Sequence, residues 1–300
     1  MYNESWGLVT SFQAHADYIQ RIKQSPFNND LVATASFDNT TKIWNITSNW
    51  CLFRTYTGHI RFVYSLEWIN EDTIATGGYD QTIQIWSVST GIKSLTISTS
   101  ASWICALQLL SNRLHLAAAC GNYKINIYNI NNGGLIATLS GHTDRVNDLV
   151  LVNANLLAST SYDKTVRLWD LTTNSLKYNF TEHTSYVMGI KLVSSDILAS
   201  GSYDNTIKLW NLTSGSLQRT IVNHSSVVMY ALDMLNSQTL VSGFWDNYVI
   251  LWNWQTGDLL KTINTNVYIQ SLAVLNFTSI TSTFKIGDIL EWKFIYCLKK

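Results

Sequence analysis

The 300-residue chain carries 20 basic and 20 acidic residues, and its charged share of 13% is about half the usual one. A protein that grips phosphate backbones needs a basic surface, so nucleic acid is not expected as a ligand. Hydrophobic residues make up 46% of the chain, ample for a core, yet no apolar run approaches the ~18–20 residues that cross a bilayer, so membrane insertion is not expected either.

The four cysteines, Cys51, Cys105, Cys120 and Cys297, form no CxxC pair and follow no signal peptide. Neither a disulfide framework nor a zinc site is expected, and a reducing compartment fits best: cytoplasmic, with the nucleus as the alternative. N-x-S/T triplets at Asn3, Asn39, Asn45, Asn179, Asn211, Asn223 and Asn276 read as chance products of a chain rich in Asn, Ser and Thr.

At the N-terminus, Trp6-Gly7-Leu8-Val9-Thr10-Ser11-Phe12 followed by His15 matches Gly134-Leu135-Ile136-Ala137-Thr138-Leu139-Ser140 followed by Gly141-His142. The later copy comes after an aromatic-ended strand and before the next His, so residues 1–12 read as a closing strand with no unit of its own. From there one unit recurs. Its signature runs from Ser36 to Asn45, Gly78 to Ser87, Ser161 to Asp170, Ser202 to Asn211 and Phe244 to Asn253, with worn copies ending at Tyr128 and Trp292. The terminal aromatics, at 44, 86, 128, 169, 210, 252 and 292, are spaced by 40 to 42 residues. A fixed period of this size means an array of one supersecondary unit. The units fall at approximately 13–55, 56–97, 98–139, 140–180, 181–221, 222–263 and 264–300 of a single domain.

Four short strands fit each unit. In the fourth they are Val146 to Val152, Leu156 to Thr160, Thr165 to Trp169 and Leu176 to Phe180, each bounded by turn-forming residues. No segment sustains a 3.6-residue period, so helices are expected to be nearly absent. The single proline, Pro26, sits between strands, where a missing backbone donor is harmless. The seventh unit nearly runs out of chain after Trp292, so the two ends complete each other and close a ring.

A His, then an Asp-bearing turn about 20 residues on, then an aliphatic strand ending in Trp-Asp or Trp-Asn resembles the WD-repeat (WD40) family. The resemblance covers essentially the whole chain. It implies an all-β fold, a seven-bladed β-propeller of four-stranded antiparallel blades in which the N-terminal strand completes the last blade.

Each well-kept unit repeats a His, a hydroxyl residue, an Asp and a Trp. The first unit has His15, Thr34, Asp38 and Trp44, and the second has His59, Thr76, Asp80 and Trp86. The fourth has His142, Ser159, Asp163 and Trp169, the fifth His183, Ser200, Asp204 and Trp210, and the sixth His224, Ser242, Asp246 and Trp252. Ser, His and Asp together invite a catalytic-triad reading. Repetition argues against it, because a nucleophile is needed once and an architectural network in every blade. A buried indole N–H needs an acceptor, and hydroxyl, imidazole and carboxylate can carry the bonding on to the turn. This matches the structural tetrad of the resembled family. The remaining His115 has no second His or Cys at metal-site spacing, and no phosphate-binding or zinc-protease motif occurs. No catalytic residue, metal ligand or cofactor is expected. Ser100, Ala118, Asn122 and Tyr128 stand at the tetrad positions of the third unit; Thr265, Ser282 and Ile286 precede Trp292 in the seventh, with Glu291 where other units carry Ile or Leu.

Two positions per unit remain free of architectural duty. The residue before the turn Asp reads Phe37, Tyr79, Gly121, Tyr162, Tyr203, Trp245 and Lys285, and the third residue after the His reads Tyr18, Phe62, Trp103, Arg145, Tyr186, Val227 and Tyr268. Ten of these fourteen are aromatic, against 12% of the chain. In the resembled family such positions line the narrower face around the central channel, and aromatic rims are what peptide interfaces favour. With Arg145 the only arginine among them, a phosphopeptide receptor is disfavoured. The expectation is a non-catalytic scaffold or adaptor, a monomeric propeller within a complex, that binds a protein or peptide on this rim. The rival readings are a substrate-receptor or histone-tail-reading subunit, the sensor segment of a longer protein and, last, an enzyme at the channel mouth.

Overall fold

A computed structural model describes residues 3–99, 102–222, 229–266, 269–275, 279–283 and 288–297. The strands form seven four-stranded antiparallel sheets arranged in a ring, a seven-bladed β-propeller without helices among the described residues. No helix there is long and apolar enough to cross a membrane. Blades one to six occupy residues 19–56, 63–98, 104–139, 146–180, 187–222 and 229–264. In blade four the strands run Val146–Asn153, Leu156–Ser161, Val166–Asp170 and Ser175–Phe180, within a residue of the expected bounds.

Blade seven is built from both ends of the chain. Its sheet orders Ser271–Leu275, Ser279–Thr283, Asp288–Cys297 and, outermost, Asn3–Gln13. Leu8 lies opposite Trp292, Phe12 opposite Ile289 and Asn3 opposite Cys297. The apolar run from Phe294 to Cys297 is therefore strand paired along the N-terminal segment. The inner strand of blade one, Ile19–Gln24, packs against Ser271–Leu275, which closes the ring.

Burial explains the composition of each strand. The second strand of a blade is sandwiched between neighbouring sheets; Leu31–Ser36 and Ile197–Ser202 are buried throughout. Small residues dominate there because blades approach closely: a Cβ on Gly77 would stand 2.5 Å from the Ile104 side chain of the next blade. Outer strands such as Cys51–Tyr56 are mostly exposed. The core therefore consists of apolar clusters between blades, such as Ile22, Val32 and Trp44 of blade one against Leu275 and Ile289 of blade seven.

One irregularity recurs and positions the site. The pairing of the first two strands is broken by a β-bulge at the second residue of the inner strand in blades one to six, as between Ile19 and Arg21, Val63 and Ser65, and Val146 and Asp148. A bulge re-aims the extra residue. Here it turns Gln20, Tyr64, Cys105, Asn147 and Met188 to the central channel.

Candidate functional site

The turns that carry the rim are held from below by the repeated polar residues. In blade one, His15 Nδ1 is 2.8 Å from Asp38 Oδ2, His15 Nε2 is 2.7 Å from the Thr34 hydroxyl, and the Trp44 indole N–H donates to that hydroxyl at 2.9 Å. In blade four the links from Asp163 to His142, His142 to Ser159 and Trp169 to Ser159 are 2.7, 2.8 and 2.8 Å. In blade five each link through Asp204, His183, Ser200 and Trp210 is 2.8 Å. In blade six the Trp252 indole donates to Ser242 at 2.8 Å; Asp246 stands at the same turn position, and His224 lies outside the described residues.

Blade two keeps the same four residues with one longer link. His59 stands 2.8 Å from Asp80 and 2.8 Å from the Thr76 hydroxyl, as in the other blades. The bond from the Trp86 indole to Thr76 is longer, 3.3 Å, so Thr76 is the loosest hydroxyl member of the set. A local difference accompanies this. The Tyr56 ring stacks flat on Trp86 with centroids 4.4 Å apart, and its hydroxyl donates to Gln84 Oε1 at 2.7 Å. The position of Trp86 is thus shared between ring stacking and the bond to Thr76.

Proton bookkeeping sets the direction of each relay. Tryptophan only donates and an ionised carboxylate only accepts. The hydroxyl oxygen takes the indole proton and gives its own to His Nε2, which leaves Nδ1–H to point at the Asp. Burial is the largest influence on His15 and His142 and lowers their pKa, against the opposing pull of Asp38 and Asp163, so both imidazoles are neutral. Burial alone would raise Asp38, Asp163 and Asp204. Their hydrogen bonds and charge interaction with the His, then the Thr two residues on, prevail and hold them well below the usual carboxylate range.

That threonine is a fifth member the sequence reading passed over. Thr40, Thr82, Thr165 and Thr206 each donate both hydroxyl and backbone N–H to the Asp Oδ1, at 2.6–2.8 and 2.9–3.1 Å. Its signal, Asp-x-Thr, was visible in every one of these units. The intervening residue is left-handed: Asn39, Gln81, Lys164 and Asn205 have φ of 68°, 64°, 71° and 65°. Such a turn aims the residue ahead of the Asp out over the channel face.

Blades three and seven are held otherwise. In blade three Ala118 and Tyr128 keep the backbone register of the hydroxyl and the Trp, but the polar links run along the neighbouring positions: Thr138 donates to Asn126 Oδ1 at 2.9 Å and Asn126 Nδ2 to the Tyr128 hydroxyl at 3.1 Å. Asn122 bonds locally to the Lys124 N–H, and Ser100 lies outside the described residues. In blade seven the Ser282 hydroxyl is buried with no hydrogen-bond partner among the described residues, while Thr265 caps the preceding turn at Asn247 O, 2.7 Å. Glu291 accepts the indole N–H of Trp50 of blade one at 2.9 Å, which explains a carboxylate in an otherwise aliphatic strand. His115 pairs locally with Asn112 at 2.9 Å.

The two rim positions of each blade are tied to one another. Phe37 N donates to Tyr18 O at 2.9 Å, Tyr79 N to Phe62 O at 2.7 Å, and Gly121, Tyr162 and Tyr203 to Trp103, Arg145 and Tyr186, each at 2.9 Å. Stacking then links one blade to the next: Phe37 on Phe62 with centroids 4.5 Å apart, Tyr79 on Trp103 at 5.3 Å, Tyr162 on Tyr186 at 4.3 Å. Tyr18 leans on Phe37 and Tyr203 on Tyr186, both at 5.9 Å. The run breaks at Gly121, whose missing side chain makes room for the Trp103 ring, 2.5 Å from where a Cβ would stand. Trp245 completes the rim on blade six and is exposed; Tyr268, Val227 and Lys285 lie outside the described residues.

With no ring beside it at Gly121, Arg145 turns inward. Its guanidinium lies over Tyr64, 5.4 Å from the centroid, and Tyr162, 5.5 Å. Both rings help to line a cavity of about 350 Å³ behind the rim, together with Tyr18, Phe37, Asn147 and Trp245. Its floor is an ion pair between Arg21 and Asp148, 3.0 Å apart, that reaches across the channel from blade one to blade four. Below it a second cavity of about 790 Å³ opens toward the opposite face. Tyr64 and Asn147 escaped the sequence reading because their aim depends on the bulge, although both fall five residues after the His.

Comparison with known proteins agrees with this architecture. The sequence profile of the family described as WD domain, G-beta repeat matches residues 6–45, 50–87, 133–170, 174–211 and 215–253, about two thirds of the chain. Periodic tryptophan protein 2 of Saccharomyces cerevisiae is 34% identical over 167 residues, 55% of this chain and 18% of that protein. Coatomer subunit beta' of Drosophila melanogaster is 34% identical over 58 residues, 19% of this chain and 6% of that one. The Arabidopsis thaliana protein named Non-functional target of rapamycin complex subunit LST8-2 is 44% identical over 55 residues, 18% and 17% of the two chains. The chain thus spans less than a fifth of the length of each of these relatives. With five matched repeats on a seven-bladed propeller, the chain belongs to the WD-repeat (WD40) family.

Proposed function

We propose that the protein is a non-catalytic interaction scaffold that holds a short segment of another protein on the aromatic rim. The observation that carries this reading is the rim itself: stacked ring pairs on a rigid backbone, surrounding the mouth of a cavity. Pre-ordered rings present large contact area with little rotamer entropy left to lose, which is what peptide interfaces select. The matched relatives include proteins named as subunits of assemblies, a coatomer and a target of rapamycin complex, and their names support a place within a complex. The structural tetrads serve in this reading to fix the turns on which the rim stands.

The test is affinity capture with mass spectrometry, comparing wild type with Tyr79→Ala/Tyr162→Ala/Tyr203→Ala after equal folding is verified. Partners lost from the triple variant support the rim as the binding surface. An unchanged partner set makes these rings structural and refutes the reading.

A further inference from the structure

We propose that the cavity behind the rim is a receptor for one acidic side chain, so that the bound segment inserts an Asp or Glu beside Arg145. This rests on the reading that a partner segment lies on the rim. Three observations point to a carboxylate.

The first is charge. Among the described residues, two guanidiniums and one carboxylate line the cavity, and Asp148 is already paired with Arg21. Arg145 meets no carboxylate among the described residues; its neighbours are the faces of Tyr64 and Tyr162 and the Cys105 thiol. Burial pushes the pKa of Cys105 and of Tyr64 up, so both are neutral and neither is a countercharge.

The second is unmet hydrogen bonding. Arg145 Nε is buried without an acceptor, and Asn147 Oδ1 is buried without a donor. Asn147 is only 7% exposed and faces the cavity. Its orientation is set by Nδ2, which donates to Val187 O at 2.8 Å, so the oxygen is the atom left over. A carboxylate entering beside Arg145 supplies the acceptor and the countercharge that its guanidinium lacks.

The third is the walls and floor. A cavity of this volume, at the small end of the roughly 300–1,000 Å³ of ligand sites, is shut below by Arg21–Asp148 and so takes a side chain end-on. The rings of Tyr64 and Tyr162 that flank the guanidinium shield it from part of the solvent and strengthen a charge-assisted bond there. A Lys or Arg would meet Arg145 as a like charge, and an apolar side chain would leave both buried polar atoms unpaired.

The test begins by panning a library of random short peptides against the wild-type chain. The selected peptide is then synthesised with its acid residue as Glu or Gln, and with an amidated or free C-terminus, for fluorescence-polarisation titration. The expected result is Asp or Glu at one internal position, with Glu→Gln weakening binding by about tenfold or more to wild type. Against Arg145→Met, shown to melt like wild type, the same change has no effect; Arg145→Lys falls between. Rim-dependent peptides indifferent to Glu→Gln overturn the carboxylate while leaving the rim reading intact. So does a requirement for the free C-terminus, or a phosphoserine that replaces Glu with tighter binding. Peptides unaffected by the triple rim substitution overturn both readings together.

Discussion

His142 receives the Ser159 hydroxyl on one nitrogen and gives its proton to Asp163 from the other, and only the neutral imidazole can do both. Protonation would put a donor on Nε2 against a hydroxyl oxygen that already accepts from Trp169. The same holds for His15, Thr34 and Trp44. Stability against pH follows in sign. With folded-state pKa values of His15 and His142 held below 6.5, the unfolded chain binds more protons below that pH, so stability falls as pH drops from there. Asp38, Asp163 and Asp204 are held below 3.8; their stabilisation is complete above that value and is lost as pH falls through their depressed values. Thermal melts from pH 8 to 3 are expected to show a midpoint that declines from about pH 6.5 and more steeply below about 4. A midpoint that is level or rising between pH 6.5 and 5 would contradict the neutral relay.

At the scale of the blade, burial and hydrogen bonding divide the work. A buried Trp removes about 150–250 Å² from water, on the order of 4–6 kcal/mol, whereas one hydrogen bond adds about 1 kcal/mol net. Burial of Trp169 therefore holds blade four together, and the relay selects the turn conformation above it. Ser159→Ala removes the partner of both Trp169 Nε1 and His142 Nε2 while leaving the apolar packing in place. The expected loss is about 1–3 kcal/mol in urea unfolding, with an unchanged m-value. A loss below about 0.5 kcal/mol would mean that the relay contributes no more than an ordinary surface contact. Thr76→Val in blade two is expected to cost less than the loss at Ser159, because its bond from Trp86 is the longer one and Tyr56 stacks on that Trp as well. An equal or larger loss in the same urea series would show that the indole bond length does not grade the relay. Blade three shows that the fold tolerates the absence of the relay where other links replace it: Ala118 occupies the hydroxyl position, and Asn126 carries the bonds to Tyr128 and Thr138.

At the scale of the molecule, the ring is closed by noncovalent pairing of its two ends. Asn3–Gln13 contributes an entire outer strand to blade seven, and Phe12 packs on Trp44 and Trp50 of blade one with centroids 5.2 and 5.8 Å away. Deleting residues 1–12 removes every pairing of the N-terminal strand with Asp288–Cys297 except that of Gln13, and exposes a long edge. Such a chain is expected to melt several degrees lower, at a cost of several kcal/mol spread over a chain this size. An unchanged melting temperature would show that the last blade does not depend on the N-terminal strand. Across the ring, Arg21–Asp148 joins blades that are not neighbours and divides the channel in two.

The recurrence of an aromatic strand end at Trp44, Trp86, Tyr128, Trp169, Trp210, Trp252 and Trp292, with the matching segment from Trp6 to Phe12, determined the blade count, the strand pattern and the closing role of residues 1–12 from sequence alone. These depend on interactions within one repeat or on its period, and a repeat writes them out several times. The rim positions were legible for the same reason, as two places per unit outside the tetrad, whereas the stacking of their rings from blade to blade was not. Nor was the cavity. Tyr64 and Asn147 face it because a bulge turns them, Arg145 bends inward because Gly121 leaves a gap in the stack, and Arg21 meets Asp148 across 127 residues of chain. Those contacts exist only once seven inner strands stand around one axis, so their geometry belongs to the closed ring and to no single repeat.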